Sequence, residues 1–181
     1  LFRSVIAASG MNGDNLISAQ AGINGAVFQM FNHGTISAML FILVGVIYDR
    51  AHHRDIEGFG GLATQMPIYT GFVAVAFFAG LGLPGFSGFV SEFMIFIGAF
   101  PVFKTIVIIS TIGILLNAAY FLWAFQRMFF GPANEKYNEL PEINKRELFT
   151  VIPLAVITLI LGIYPRPFLD LIAATLNVLI E

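Results

Sequence analysis

The sequence contains no cysteine, and only 11% of its 181 residues are charged. The absence of thiols excludes cysteine-ligated iron–sulfur clusters, thiolate metal sites and disulfides within this chain. Soluble domains carry about 25% charged residues, so this chain has too few charges for an ordinary water-facing surface. Its net charge of −2 offers no basic field for nucleic acid. The glycine-rich segment at 80–88 lies within an apolar stretch, so it does not fit a nucleotide-binding motif.

Hydrophobic residues make up 57% of the chain, more than one domain of this size can bury in a single core. The apolar stretches are long and do not alternate with polar residues, which favours helices. Lipid is therefore expected to surround much of the chain, and within lipid every backbone group must be paired internally, as it is in a helix. The sequence therefore predicts an all-α integral membrane bundle over 25–164. Its four spans are expected at about 25–48, 67–100, 105–130 and 148–164.

The two ends of the chain differ from this bundle. Residues 1–24 start with Leu1 rather than Met and lack the features of a signal peptide. We expect them to be the end of a preceding span and an outward-facing loop, within a longer protein. Residues 165–181 form a short amphipathic tail after two prolines, which predicts a segment that lies at the membrane interface.

Positive charges fall unequally on the two sides of the predicted bundle. Loops 49–66 and 131–147 share one side, with Arg50, Arg54, Arg127, Lys136, Lys145 and Arg146. The other side has only Arg3, Lys104 and Arg166. The positive-inside rule then predicts that the first side is cytoplasmic and that the C-terminus faces outward. Two histidines in the charged loop are expected to be solvated: His52 and His53.

The second span is too long for one straight crossing. Its 34 residues would reach about 50 Å as a helix, whereas the hydrocarbon core is about 30 Å thick. The predicted helix break lies near the middle of this span, at 83–88, and comprises Leu83, Pro84, Gly85 and Gly88. The proline and the glycines disfavour a continuous helix there. This segment fits either an unwound stretch at an ion site, as in transporters, or a simple proline kink. Spacing alone leaves both interpretations open.

One acidic residue lies inside the spans. Glu92 follows the predicted break and is the only acidic residue between Glu57 and Glu135. A charge near the bilayer centre costs at least about 2.5 kcal/mol, so we expect the carboxyl to have a function, and proton exchange is the leading hypothesis. The alternative is a neutral acid that joins helices or lies close enough to an end to reach water.

Polar residues also mark two other spans. Gln29, His33 and Ser37 are spaced by four residues, so they share one helix face. Because histidine can relay protons through both ring nitrogens, His33 is a candidate relay, although a buried packing histidine fits as well. Ser91 and Asn117 are candidates for polar lining, and Asn117 also suits an interhelical hydrogen bond. A metal site is not predicted, because no second ligand stands at suitable spacing.

Several blocks of sequence carry a family resemblance. They lie at residues 29–34, 40–50, 60–63, 66–67, 83–93, 127–131 and 146–149. Together they resemble, in order and composition, the antiporter-like subunit M family of proton-pumping NADH–quinone oxidoreductases (respiratory Complex I). The resemblance covers most of the chain, and the first twenty or so residues carry little of it.

The resemblance implies a fold and roles for two residues. Members of that family have fourteen transmembrane helices with two inverted five-helix repeats, and this chain would supply the eleventh to the fourteenth, with a discontinuous twelfth. By the same resemblance, Glu92 would be a proton-channel residue in the outer half of the membrane, and His33 would be its relay. The family's other key residues, a glutamate and two lysines on earlier helices, are absent from this chain.

The resemblance also implies partners. The chain would be a subunit of an enzyme complex in a bacterial inner membrane, without a redox centre of its own. NADH, FMN, iron–sulfur clusters and quinone would be bound by partner subunits, and the chain would contact other membrane subunits and the lipid bilayer. Two alternatives stay open: a subunit of a cation/proton antiporter or hydrogenase-linked proton pump, and a non-transporting membrane scaffold.

Overall fold

The computed structural model describes residues 16–132, 134, 137 and 140–177, which contain helices and no strand. The predicted all-α class is therefore confirmed for this part of the chain. In chain order the helices are α1 (Leu16–Ala51), a 3₁₀ helix (Ile56–Gly58), α2 (Leu62–Gln65), α3 (Pro67–Gly80), α4 (Ser87–Ala99), α5 (Lys104–Phe129), α6 (Lys145–Ile163) and α7 (Arg166–Asn177). By length and apolar composition, α1, α5 and α6 can each cross a membrane.

Helix α1 begins at Leu16, nine residues before the predicted start of the first span, and residues 1–15 lie outside the described part. The early start has a packing explanation. A Cβ atom on Gly25 would lie 2.7 Å from Met94 Cβ, and one on Gly98 would lie 2.4 Å from Gly22 Cα. These glycines let α1 and α4 approach closely, as small residues do in membrane helix pairs.

The predicted discontinuity in the second span is confirmed. Helices α3 and α4 have 14 and 13 residues, or about 20 Å each, so neither crosses a bilayer alone. Between them, Phe86 N donates to Leu83 O at 3.1 Å, and Gly85 has φ +102°. With Pro84 before the glycine, this is a type II β-turn. The segment is therefore unwound and is not a kinked helix.

The apolar core lies at one end of the bundle, where α1, α2, α3, α5 and α6 meet. Met39, Leu62 and Val151 are among its fully buried side chains. Helix α5 contributes little to this core, and most of its apolar side chains face outward. At the other end, the ring of Phe168 of α7 packs in a tilted orientation against Phe28 and Phe31 of α1, with ring centroids 5.1 and 4.6 Å apart. The interfacial position of the tail remains a prediction, and residues 178–181 lie outside the described part.

Charged side chains join the ends of three helices beside this core. Arg50, in the last turn of α1, forms a salt bridge to Glu147 at the start of α6, at 2.8 Å. Glu142 accepts hydrogen bonds from the backbone N–H groups of Ile68 and Tyr69, both at 3.0 Å. Since these amides belong to the first turn of α3, the Glu142 carboxylate caps that helix from a distant loop.

His53 corrects one expectation from the sequence. Its Nε2 is hydrogen-bonded to the hydroxyl of Tyr137, and its ring stacks on Phe59 with centroids 4.3 Å apart. The expectation of a solvated side chain was therefore wrong for His53, which is half-buried, and holds for His52, which is exposed. The difference depends on Tyr137, which lies far along the chain and has no local signal.

Candidate functional site

A cavity of about 940 Å³ lies between α1, α4 and α5. Its walls are largely apolar, and five polar side chains face it: Gln29, His33, Glu92, Ser110 and Asn117. Four of these were predicted as site residues from the sequence, on three different helices. The fold thus brings Glu92 and His33 to one cavity. This could not be predicted from their spacing along the chain.

Glu92 lies in the second turn of α4, directly beside the break. Its Oε1 accepts a long hydrogen bond of 3.5 Å from Gln29 Nε2, and its Oε2 lies 2.9 Å from where a Cβ atom on Gly82 would be. Gly82 has φ +76°, a conformation that strains other residues, so the loop is shaped around the carboxyl. The ion pairs among the described residues join Arg50 to Glu147 and Arg127 to Glu57, and neither includes Glu92.

The break exposes backbone groups that the neighbouring helices then pair or cover. Asn117 Nδ2 of α5 donates to Gly80 O at 3.0 Å, which satisfies a carbonyl freed where α3 ends. Asn117 therefore does both things considered for it: it joins two helices and lines the cavity. Gly88 packs against α3, because a Cβ atom there would lie 2.7 Å from Ala79 O. The turn at Gly85 is also in close contact with α6, at Gly162.

His33 lies one turn after Gln29 on α1, and its side chain is exposed. Its Nδ1 is 3.4 Å from Ser37 Oγ, the next polar residue of the predicted stripe. In the described structure no hydrogen bond links His33 directly to Glu92. The cavity between them is far larger than the roughly 30 Å³ that one water occupies in the liquid, so water can connect the two groups.

Ser91 occupies a different place from the one predicted. It is fully buried between α1 and α4, and does not line the cavity. Its hydroxyl donates to Gln29 Oε1 and accepts from Asn32 Nδ2 at 2.9 Å. Ser91 therefore acts behind the cavity wall, on the residue that contacts Glu92.

Sequence reasoning missed three residues of the site: Asn32, Gly82 and Ser110. Asn32 is next to His33 in the chain, so it lies about 100° around the helix from it and outside the Gln29–His33–Ser37 stripe. Its amide contacts α4. An asparagine in the middle of an apolar span was the available signal. Gly82 could have been found only with the position of Glu92, and Ser110 only with the packing of α5.

The described residues contain no group of three or more histidine or acidic side chains that could hold a metal ion. The polar groups at the cavity are one carboxyl, one imidazole, two amides and a hydroxyl. Such a set can accept, donate and pass protons through water.

Comparisons with known proteins agree on one family. Residues 4–117 match the family model described as NADH:quinone oxidoreductase/Mrp antiporter, transmembrane. The chain is 42% identical to "NADH-quinone oxidoreductase subunit M" of Rhodobacter capsulatus, over 90% of this chain and 32% of that protein. It is 40% identical to "F(420)H(2) dehydrogenase subunit M" of Methanosarcina mazei, over 82% of this chain and 30% of that protein. A chain of respiratory complex I from Thermus thermophilus matches with a TM-score of 0.80 at 26% identity, over 97% of this chain and 37% of that chain.

Proposed function

Because the chain belongs to the NADH:quinone oxidoreductase/Mrp antiporter transmembrane family, we propose that it is part of a proton-translocating membrane subunit of an NADH:quinone oxidoreductase. Within it, Glu92 takes up and releases the transported proton. The chain spans about a third of the length of the curated relatives it matches. The remainder of the proton path would then lie in other helices of the full-length subunit.

The resemblance to subunit M that the sequence blocks indicated is confirmed by these relatives. One detail of that expectation was wrong. The family match begins at residue 4, so the first twenty residues carry family signal although they contain none of the motifs that support the resemblance.

The observation that carries the proposal is the position of the Glu92 carboxyl. It lies beside an unwound segment of a membrane-spanning pair of helices and faces a cavity that also holds His33. A carboxyl in this setting, without a described cationic partner, is suited to exchange protons. In the proposed step, water in the cavity carries a proton between His33 and the Glu92 carboxylate. His33, whose side chain is exposed, exchanges that proton with the surroundings of the cavity. The proton is the only species that moves.

The subunit M relatives favour an oxidoreductase over the alternatives. The family model includes Mrp antiporters, so a cation/proton antiporter subunit remains the nearest competing function. The Methanosarcina mazei relative is named for a dehydrogenase of a different electron donor, F420H2, and partner subunits would decide which donor this chain serves. A membrane scaffold without transport is the alternative of another class.

The proposal extends to partners and location. We propose that NADH, FMN, iron–sulfur clusters and quinone are bound by partner subunits. For the clusters, this proposal is supported by the lack of cysteine ligands in this chain. We further propose that the protein lies in a bacterial inner membrane beside other membrane subunits of one complex. The apolar helices α1, α5 and α6 support a multi-pass membrane protein.

Replacing the Glu92 carboxyl by an amide tests the function. In the full-length chain within its native complex, we expect Glu92→Gln to lower NADH-driven proton pumping at least about tenfold, because a positioned acid–base group contributes about 10²–10⁴-fold to proton transfer. Pumping is measured in inverted membrane vesicles with a pH-sensitive dye, together with NADH oxidation and the amount of complex. Glu57→Gln is the matched control, since the Glu57 side chain is 82% exposed. Wild-type pumping by Glu92→Gln would favour the scaffold.

The proposed orientation is tested by labelling. Single cysteines at Asp55 and Tyr164, introduced one at a time into a cysteine-free full-length chain, are treated with a membrane-impermeant maleimide. The positive-inside rule predicts labelling of Asp55→Cys only from the cytoplasmic side and of Tyr164→Cys only from the outside. The reverse pattern would invert the orientation proposed here.

A further inference from the structure

We infer that Asn32 is a positioning residue for the Glu92 carboxyl and acts through Ser91 and Gln29. The inference rests on the proposed function of Glu92 and adds a specific device for holding that carboxyl. Asn32 itself touches neither the carboxyl nor the cavity. Its effect is transmitted by hydrogen bonds across the contact between α1 and α4.

Asn32 is held in one orientation by α4. Its side-chain amide is 1% exposed, and its Nδ2 donates both to Ser87 O and to Ser91 Oγ, each at 2.9 Å. Because a backbone carbonyl can only accept, the nitrogen of the Asn32 amide must face α4. Both of its N–H groups are thereby committed to the first two turns of α4.

The donors in this network all run in one direction. Asn32 donates to the Ser91 hydroxyl, Ser91 donates its single proton to Gln29 Oε1, and the amide nitrogen of Gln29 is left to donate to Glu92 Oε1. If Ser91 lost the hydrogen bond from Asn32, its hydroxyl could donate instead to Ser87 O or Gly88 O, which lie at 3.2 and 3.0 Å. The Gln29 amide would then be free to rotate and to present its oxygen to the carboxyl.

The oxygen of the Asn32 amide indicates that this residue does more than fill space. Its Oδ1 is buried and has no hydrogen-bond partner among the described residues, which is unfavourable for a buried acceptor. A leucine of similar size would fill the space without that cost. The two N–H groups directed at α4 are what the asparagine adds, and they begin the network that ends at Glu92.

The test compares Asn32→Leu alone with the same change in a Glu92→Gln background, in the native complex of the full-length chain. We expect Asn32→Leu to lower proton pumping about two- to tenfold, the range expected for one hydrogen bond, with the amount of complex unchanged. In the Glu92→Gln background it should lower pumping no further, because its route of action is already removed. Asn24→Leu, another asparagine on α1 for which the described residues show no hydrogen bond to α4, is the matched control.

Each outcome decides between positioning and packing. Equal losses in both backgrounds, or wild-type pumping by Asn32→Leu, would overturn the inference. If Asn32→Leu prevents assembly, Ser91→Ala, which deletes only the hydroxyl, takes its place with the same expected loss and the same dependence on Glu92. Wild-type pumping by Glu92→Gln alone would instead refute the proposed function, so the two failures are distinguishable.

Discussion

Adding a single methyl group at Gly162 is expected to prevent stable assembly of the protein. A Cβ atom there would lie 2.2 Å from Gly85 O and 2.5 Å from both Phe86 Cα and Phe86 C. These are backbone atoms of the turn in the broken span, so no side chain can rotate away to make room. Overpacking usually costs about 1–3 kcal/mol, and we expect Gly162→Ala to cost at least about 3 kcal/mol because α6 or the turn must move.

The same substitution elsewhere provides the control. At Gly71 in α3, a Cβ atom would meet no heavy atom within 4 Å in the part of the chain that the structure describes. Alanine is favoured over glycine inside a helix by about 0.5–1 kcal/mol, so Gly71→Ala should leave stability unchanged or raise it. The measurements are the amount of the subunit in membranes and the melting temperature of the detergent-solubilised complex. Equal behaviour of the two variants would mean that the turn does not rest on α6 as described.

The parts of the site that could be predicted are those with a local chemical signal. Glu92 stands out because a carboxyl is costly in lipid, and the break stands out because proline and glycine disfavour a helix wherever they occur. Neither conclusion needs a partner residue. The stripe of Gln29 and His33 likewise follows from helix periodicity alone, and both residues do face the cavity.

The parts that were missed or placed wrongly depend on how one helix meets another. Asn32 and Ser91 gain their roles only because glycines let α1 and α4 approach closely, and a glycine carries no mark of whether it will end a helix or pack against one. The same ambiguity applies to Gly25, which packs against α4 and lies at the position where the first span was predicted to begin. Sequence patterns give the face of a helix, whereas contacts across the bundle require the register between helices.

Arg50 illustrates a second kind of long-range feature, in which one residue fixes several segments. Its guanidinium donates five hydrogen bonds: two to Glu147, and one each to Val46 O, Pro141 O and Glu142 O. This uses every donor that an arginine has. The loop held in this way also carries the Glu142 carboxylate that caps α3, so Arg50 supports the first half of the broken span indirectly.

Removing this guanidinium is the second change from which we expect a large effect. Arg50→Leu leaves the carboxylate of Glu147, which is only 19% exposed, without its cation and leaves loop carbonyls without donors. Breaking a buried ion pair on one side typically costs about 3–5 kcal/mol, and we expect a loss of about 3 kcal/mol because Glu147 keeps some contact with water. The melting temperature of the solubilised complex and the protease sensitivity of the loop measure the loss.

Two further variants separate this explanation from a general effect of charge. Arg127→Leu removes a cation whose pair with Glu57 spans 4.0 Å and is mostly exposed, and it should change stability far less, because exposed pairs add little. Arg50→Lys keeps the charge but cannot reproduce the planar, two-pronged contact with Glu147, so we expect it to restore only part of the loss. If Arg50→Lys behaved like the wild type, charge alone would hold the loop. If Arg50→Leu lowered stability no more than Arg127→Leu, the contacts of Arg50 with Glu147 and with the loop that caps α3 would contribute nothing to the stability of the fold.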